Sequence, residues 1–314
     1  MKVVFFGTPQ FAIPCLQALL QDQNFQVVTV VTQPDKRRAR GTAIIPSPVK
    51  QLAQEHNIPI WQPQRCKTDS EFAQYLQTIK ADVFVVVAYG QILPNSLLTI
   101  PKLGCINVHG SILPQYRGAA PIQWSIYNGD EQTGITTMLM DEGMDTGAML
   151  LKSYLSIGIL DNAQQIGERL AQQGADLLKQ TLLELRTITP IAQDATLATY
   201  APLIKKTDYL LDWHKSALQL HNQIRAFYPD CFTSFRENPL KIVTTVPAEY
   251  IQDLLEPTQG SAGEIVYLLK NQGPVIQTGD GLLLLKQVQI AGKKIQSGWD
   301  FVNGMRISTG EKLG

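Results

Sequence analysis

Two short runs that are apolar at nearly every position, residues 2–6 (KVVFF) and 81–88 (ADVFVVVA), constrain this chain most. A strand of that kind has no face to offer water, so it is buried on both sides, as in a parallel sheet covered by helices. Gly7-Thr8-Pro9 follows the first run as a turn. Phe11, Ile13, Leu16, Leu19 and Leu20 then recur at helical spacing, and residues 27–31 form a second buried strand. Strand, turn, helix and strand make a βαβ unit and predict an α/β, doubly wound, mainly parallel sheet. The turn reads GTPQFA rather than GxGxxG, which gives a dinucleotide site little support.

The pattern continues with helical segments at 49–56, 70–79, 119–127 and 163–185, and strands at 58–61, 105–109 and 134–140. Asp69 or Ser70 can cap the second of these helices. Residues 190–206 have prolines at 190 and 202 and no clear period, and read as a linker. Beyond them come a helix at 213–227 and short strands at 232–236, 240–246, 263–270, 273–277 and 282–288, with a polar end from Gly292. Short strands with glycine turns suggest a small barrel or sandwich. With 314 residues, the chain has room for a catalytic domain at 1–189, the linker, and a smaller β-rich domain at 207–314.

Charge narrows the partners. Lys plus Arg and Asp plus Glu are 27 each, so no overall field draws in a polyanion, and nucleic acid would have to be held by local patches. One such patch lies in the stretch 35–48, where Lys36, Arg37, Arg38 and Arg40 crowd a loop that reads either as a solvated surface run or as an arm for phosphates. Residues 207–314 carry ten Lys or Arg against eleven Asp or Glu, so this domain would rely on pairs such as Lys293-Lys294, with Lys205-Lys206 just before it. The four cysteines form no CxxC pair, and two acids or imidazoles without HExxH spacing make a metal site improbable. The N-terminus lacks a signal-peptide pattern and no apolar run approaches a membrane span of about 20 residues. A cytoplasmic enzyme is the default expectation.

The reactive residues gather in 103–147, LGCINVHGSILPQYRGAAPIQWSIYNGDEQTGITTMLMDEGMDTG. Asn107 and His109 are two apart at the carboxyl end of a strand, so they share a face, and Asp145 follows the next strand. An imidazole, a carboxamide and a carboxylate at one sheet edge suit transfer of an acyl group to an amine. The histidine handles the proton, the asparagine N–H meets the oxygen that gains charge, and the carboxylate orients the imidazole. Read singly, each has a plainer alternative: a structural histidine, a turn aspartate.

Together, NVHGSILPQYRGAAPIQW and DEGMDTG, with FFGTPQFA, TQPD, PSPVK and VVVAYGQILP in the same order, resemble the folate-dependent formyltransferases. The resemblance implies a Rossmann-like catalytic domain followed by an OB-like barrel that binds tRNA. It implies transfer of a formyl group from 10-formyltetrahydrofolate to the α-amine of methionine esterified to initiator tRNA. Asn107, His109 and Asp145 match the family's catalytic trio. Ser111, Ile112, Leu113 and Pro114 match its folate segment, with isoleucine in place of a leucine. Tyr89, Gly90, Gln91, Ile92 and Leu93, together with the loop from Asp141 to Asp145, match the walls of the pterin pocket. Arg40 matches the family's loop arginine toward the tRNA acceptor end; Lys36, Arg37 and Arg38 extend that patch on physical grounds. The expected partners are methionyl-initiator tRNA and the folate, with no membrane, and the chain is expected to be a monomer. The same trio would serve a formyltransferase acting on a small amine, or a formyltetrahydrofolate hydrolase. A nicotinamide-dependent dehydrogenase would need the missing GxGxxG, and an inert RNA-binding protein would not need the trio.

Overall fold

The structure is a computed structural model that describes residues 1–37, 44–251 and 260–314. It divides into two compact units. The first comprises Met1–Pro121, Gln132–Leu155 and Gly167–Ala201, the second Ile122–Glu131, Ser156–Ile166 and Pro202–Gly314.

In the first unit β1 (Lys2–Gly7) leads through α1 (Ile13–Gln21) to β2 (Gln26–Val31). Next come β3 (Lys36–Arg37) and β4 (Ile44–Ile45), then α2 (Pro48–Glu55), β5 (Ile60–Trp61), α3 (Ser70–Ile79), β6 (Val83–Val87) and the short α4 (Asn95–Leu98). They are followed by β7 (Cys105–His109), β8 (Arg117–Gly118), α5 (Pro121–Tyr127), which belongs to the second unit from Ile122 on, β9 (Gln132–Leu139), β10 (Met149–Ser156), α6 (Ala163–Glu184), which belongs to the first unit from Gly167 on, and β11 (Tyr200–Ala201). The main sheet has the order β10-β9-β7-β6-β1-β2-β5. Pairing is parallel from β7 through β6, β1 and β2 to β5, and antiparallel between β7 and β9. This is the doubly wound, mainly parallel sheet that the apolar runs require. Val3, Val4, Phe5 and Phe6 on β1 and all of β6 are buried. Full burial of each such side chain contributes roughly 1.5–3 kcal/mol.

The chain builds outward from β1 to β2 and β5, then returns to the other side of β1 as β6. The strand order therefore reverses between β1 and β6, and their carboxyl ends open the crevice where ligands of such sheets lie.

Several local details differ from the sequence reading. The stretch 35–48 is not all loop, because Lys36 pairs with Ile45 and Arg37 with Ile44 as a two-stranded ribbon. β10 and the eight-residue helix Gly298–Met305 of the second unit are elements the period did not announce. Residues 190–201 belong to the first unit: Ile191 pairs with Met149, and β11 runs parallel to β8. The helix expected at 213–227 starts only at Ala217, where Ser216 and Gln219 form a capping box.

The second unit holds α7 (Ala217–Ala226), β12 (Phe232–Phe235), β13 (Asn238–Pro247), β14 (Ile265–Leu269), β15 (Gly273–Gln277), β16 (Leu282–Ile290), β17 (Gln296–Ser297) and α8 (Gly298–Met305). The strand order is β12-β13-β16-β15-β14, antiparallel throughout. The two edges do not stay open. Leu313 bridges to Phe235 beside β12, and Lys312 bridges to Glu264 beside β14, so the last residues close the sheet into a barrel-like form. Closure removes the unpaired edges that invite aggregation. α7 packs two earlier segments of the chain into this unit. His221 Nε2 donates to the Ile159 carbonyl at 2.7 Å, and Arg225 donates to the carbonyls of Gly158 and Asp161 at 3.1 and 3.2 Å. The rings of Trp124 and Tyr127 meet Phe227 at 5.7 and 5.4 Å. Among the described residues no helix is long and apolar enough to cross a membrane.

Candidate active site

β7 ends in Asn107 and His109. Asn107 lies opposite Val86 of β6 and Met138 of β9, and His109 lies opposite Thr136 of β9. After β9 the chain turns through residues 140–148 and comes back as β10. Asp141 builds that turn, since its Oδ1 accepts from the Gly143 amide at 3.0 Å and from the Thr146 hydroxyl at 2.7 Å. This is the local backbone capture typical of aspartate in turns. Gly147 closes the turn against β9 so tightly that a Cβ there would fall 1.7 Å from the Leu139 carbonyl oxygen.

The turn returns Asp145 to the sheet edge. Its Oδ2 stands 3.7 Å from His109 Nδ1 and accepts from the Gly118 amide at 2.8 Å. Its Oδ1 accepts from Asn107 Nδ2 at 3.4 Å. On its other side His109 points Nε2 at the Tyr116 carbonyl, 2.9 Å away. A carbonyl oxygen only accepts, so Nε2 carries the proton, and the lone pair of the neutral ring sits on Nδ1 facing the carboxylate. His109 is 6% exposed and Asp145 16%, so the pair is largely shielded from water but open on one side. The three residues singled out for acyl transfer are thus brought together.

The segment 111–114 is held by side chains of β9 and β10. Ser111 and Leu113 are buried. The Ser111 hydroxyl donates to the Gln115 carbonyl at 2.6 Å. Thr136 Oγ1 donates to the Ser111 carbonyl at 2.7 Å and accepts from the Leu113 amide at 3.1 Å. Lys152 Nζ donates to the Leu113 carbonyl at 2.6 Å, and burial pulls its pKa below the ordinary lysine value. Ile112 and Pro114 are half-buried.

The loop 89–93 sits at the switch point between β1 and β6. Tyr89 is buried, with its hydroxyl 3.0 Å from Cys66 Sγ. Its carbonyl accepts from Thr8 Oγ1 at 3.0 Å and from Gln33 Nε2 at 3.1 Å, and Gln33 also donates to the Gly90 carbonyl at 2.8 Å. Gly90 has φ +83°, a conformation that favours glycine, and a Cβ there would push Gln33 Nε2, 2.4 Å away, off its carbonyl partners. Gln91 is anchored to the Pro63 carbonyl and the Cys66 amide. Leu93 is buried, whereas Ile92 is 78% exposed. Glu142, Gln33, Asp35, Arg65, Lys67 and residues 90–95 line a cleft of about 960 Å³ here. Asp35 is tied to Lys50 and Gln62, and the Lys50 hydrogen bond holds its carboxyl below the usual range.

The cations expected to meet tRNA are less gathered. Lys205, Lys206, Lys293 and Lys294 are exposed, the first pair ahead of α7 and the second in the β16–β17 turn. Lys36 and Arg37 lie on β3, while Arg38 and Arg40 fall outside the described residues. Among the described residues no group of three or more His, Cys, Asp or Glu side chains could hold a metal ion. All four cysteines are free and buried; burial pushes the Cys105 thiol up to about 12, so it is inert packing on β7.

Sequence reasoning missed Gln33, Thr136, Lys152 and Gln193. Each is a polar residue whose partners are backbone groups far away in the chain, and no local period marks it.

Comparison with known proteins bears on the same residues. The formyl transferase family model matches residues 1–182, and the model of the formyl transferase C-terminal domain matches residues 203–306. The chain is 60% identical to the methionyl-tRNA formyltransferase of Gloeothece citriformis (strain PCC 7424), over 100% of this chain and 99% of that protein. It is 58% identical to the protein of the same name from Trichormus variabilis (strain ATCC 29413 / PCC 7937), again over 100% and 99%. Among solved structures, the sugar 3N-formyl transferase WlaRD, described with dTDP and 5-N-formyl-THF, shares the fold with a TM-score of 0.64 at 20% identity, over 94% of this chain and 99% of that one. HypX from Aquifex aeolicus in complex with tetrahydrofolic acid gives 0.61 at 12% identity, over 99% of this chain and 48% of that one. With both models matched and relatives this close over the full length, the chain belongs to the formyl transferase family.

Proposed function

We propose that this enzyme transfers the formyl group of 10-formyltetrahydrofolate to the free α-amine of methionyl-initiator tRNA, giving N-formylmethionyl-tRNA. The observation that carries the reading is the meeting of Asn107, His109 and Asp145 in a chain whose full-length relatives are named methionyl-tRNA formyltransferases.

The cleft beside loop 89–93 fits a folate. Its volume lies within the range of small-molecule sites, about 300–1,000 Å³. The exposed Ile92 offers an apolar surface to a flat ring, while Gln33 and Gln91 keep the loop backbone in place. In this reading residues 89–93 and 141–145 wall the pterin and the backbone of 111–114 supports it from below. When bound, 10-formyltetrahydrofolate supplies the formyl carbon that the amine attacks.

The side chains of this chain do the rest. His109 Nδ1 receives the proton the methionyl amine loses and returns one to the departing nitrogen. Asp145 faces that nitrogen of the ring and shares the charge while the imidazole is protonated. Asn107 Nδ2 offers an N–H to the formyl oxygen as it gains negative charge. We assign the chemistry to the first unit, and the holding of tRNA to Lys36, Arg37, Arg38 and Arg40, to Lys205 and Lys206, and to Lys293 and Lys294 of the second. The enzyme acts in the cytoplasm as a monomer.

The test supplies the purified chain with 10-formyltetrahydrofolate and, in parallel, methionyl-initiator tRNA, glycinamide ribonucleotide, an amino-sugar nucleotide, or water alone. Formyl on the methionyl α-amine is the expected product. Faster transfer to a small amine, or tetrahydrofolate release without an acceptor, overturns the reading.

A further inference from the structure

Asp145 does not adopt its backbone conformation for free. Its φ is +55°, in the left-handed region that costs a residue with a Cβ roughly 1 kcal/mol or more. The turn is also held from outside. The holder is Gln193, in a stretch without regular period. Its Nε2 donates one hydrogen to the Asp145 carbonyl and the other to the Gly147 carbonyl, both at 2.8 Å. Its Oε1 accepts from Arg117 Nε at 3.0 Å and from Nη2 at 2.8 Å. Both donors and both lone pairs of the carboxamide are therefore used.

These bonds form a closed circuit. Arg117 is followed by Gly118, whose amide donates to Asp145 Oδ2. The carboxylate is thus held from the front by Gly118 and its own peptide from behind by Gln193, and the two anchors are joined through the Arg117 side chain. The same stretch serves the histidine. The Tyr116 carbonyl, which takes the Nε2 proton of His109, belongs to a residue whose amide donates to Thr199 Oγ1 at 2.8 Å, and the Arg117 amide donates to the Thr199 carbonyl at 2.9 Å. β11 then continues the pairing beside β8. One short segment thus fixes the partners of both ends of the imidazole.

We propose that Gln193 is a positioning residue for formyl transfer: by clamping the Asp145 and Gly147 carbonyls to Arg117, it keeps the Asp145 carboxylate in front of His109 Nδ1. The proposal rests on the reading that His109 and Asp145 carry the transfer. Only a carboxamide of this length meets the requirement. A glutamate would keep the bonds from Arg117 but would turn oxygens toward two carbonyls, and an asparagine is one methylene too short.

The test uses the full chain with Gln193→Glu, which retains a partner for the buried Arg117, and Gln193→Leu, which retains only shape. Three quantities are read: kcat and KM for both substrates, the thermal midpoint, and the imidazole ¹⁵N signals of His109 in the free enzyme, assigned by their loss in His109→Gln. For Gln193→Glu the expected result is a kcat lower by about 30-fold with both KM values within about twofold, since displacing a catalytic group by ~1 Å can cost up to 10²-fold. The thermal midpoint stays near that of the parent, and the His109 signals move. A kcat within twofold of the parent, a loss confined to KM, or unmoved His109 signals overturns the proposal. If the parent chain itself fails to formylate methionyl-tRNA, the functional reading falls, and the His109 spectrum of Gln193→Glu still decides whether Gln193 positions the pair.

Discussion

His109 donates its Nε2 hydrogen to the carbonyl of Tyr116 at 2.9 Å. That single bond decides which nitrogen is available for chemistry. With Nε2 occupied, the neutral ring presents Nδ1 to Asp145 and to any amine brought to the open side. The ¹⁵N spectrum of the neutral imidazole in the free enzyme is expected to show the Nε2–H tautomer. His109→Ala is expected to lower kcat by about 10²–10⁴-fold, the usual share of general acid–base catalysis, with folate binding retained. A variant as active as the parent would remove the imidazole from the mechanism.

Gly147 tests the turn independently of its charged residues. The Cβ of an alanine would fall 1.7 Å from the Leu139 carbonyl oxygen, so the turn must move as a whole. Gly147→Ala is expected to cost at least about tenfold in kcat, because a displacement of the Asp145 carboxylate by a fraction of an ångström loosens the pair. Steady-state kinetics at saturating substrates checks this. Unchanged kcat would mean that the turn yields without moving Asp145.

Much of this was legible in the chain. The apolar runs 2–6 and 81–88 read as buried strands and lie side by side in the sheet as β1 and β6, although its seventh strand, β10, was not announced. Asn107 and His109 share a face for the same reason any i, i+2 pair on a strand does. Asp145 was legible only through its motif, since nothing local says that a turn nine residues long returns it to the same edge. Gln193 was not legible. Its four bonds reach Arg117, Asp145 and Gly147, at least 46 positions away, and a stretch with prolines and no period reads as linker when its partners are unknown. The closing of the barrel was hidden likewise, because two bridging residues have no periodicity at all.

His221 gives the second unit a defined acid sensitivity. It is 2% exposed; Nε2 donates to the Ile159 carbonyl and Nδ1 accepts from the Thr245 hydroxyl at 2.9 Å. Burial lowers its pKa from 6.5 to about 4; the bond to Ile159 opposes the shift and nearby Arg225 adds to it. Between those two values the unfolded chain binds a proton that the folded chain does not. Stability is therefore lost as pH falls from about 6.5 to about 4, by up to about 3 kcal/mol from this group. Urea unfolding at several pH values in that window, for the parent and His221→Gln, checks the sign. The variant is expected to show the flatter dependence, and parallel curves would assign the sensitivity elsewhere.

Binding of tRNA is expected to be only modestly sensitive to salt. The overall charge is zero and residues 207–314 are slightly acidic, so few phosphates are neutralised. A plot of log K against log salt should have a slope of about −3 to −4, from about four contacts. A slope near −8 would mean that all eight of Lys36, Arg37, Arg38, Arg40, Lys205, Lys206, Lys293 and Lys294 neutralise phosphates at once, rather than about half of them, and would overturn this expectation.

The segments Ile122–Glu131 and Ser156–Ile166 are entered and left from the first unit but belong to the second. A cut between residues 201 and 202 would yield a C-terminal piece lacking Trp124 and Tyr127, which pack on Phe227, and lacking the carbonyls that bind His221 and Arg225. The other piece would retain those two segments with nothing to bury them. Recombination between relatives at a single junction would therefore mismatch the interior of the second unit even where the junction itself is neutral. Grafting that unit onto a different catalytic body requires three transplanted stretches, and its inheritance is tied to the sequence it interrupts.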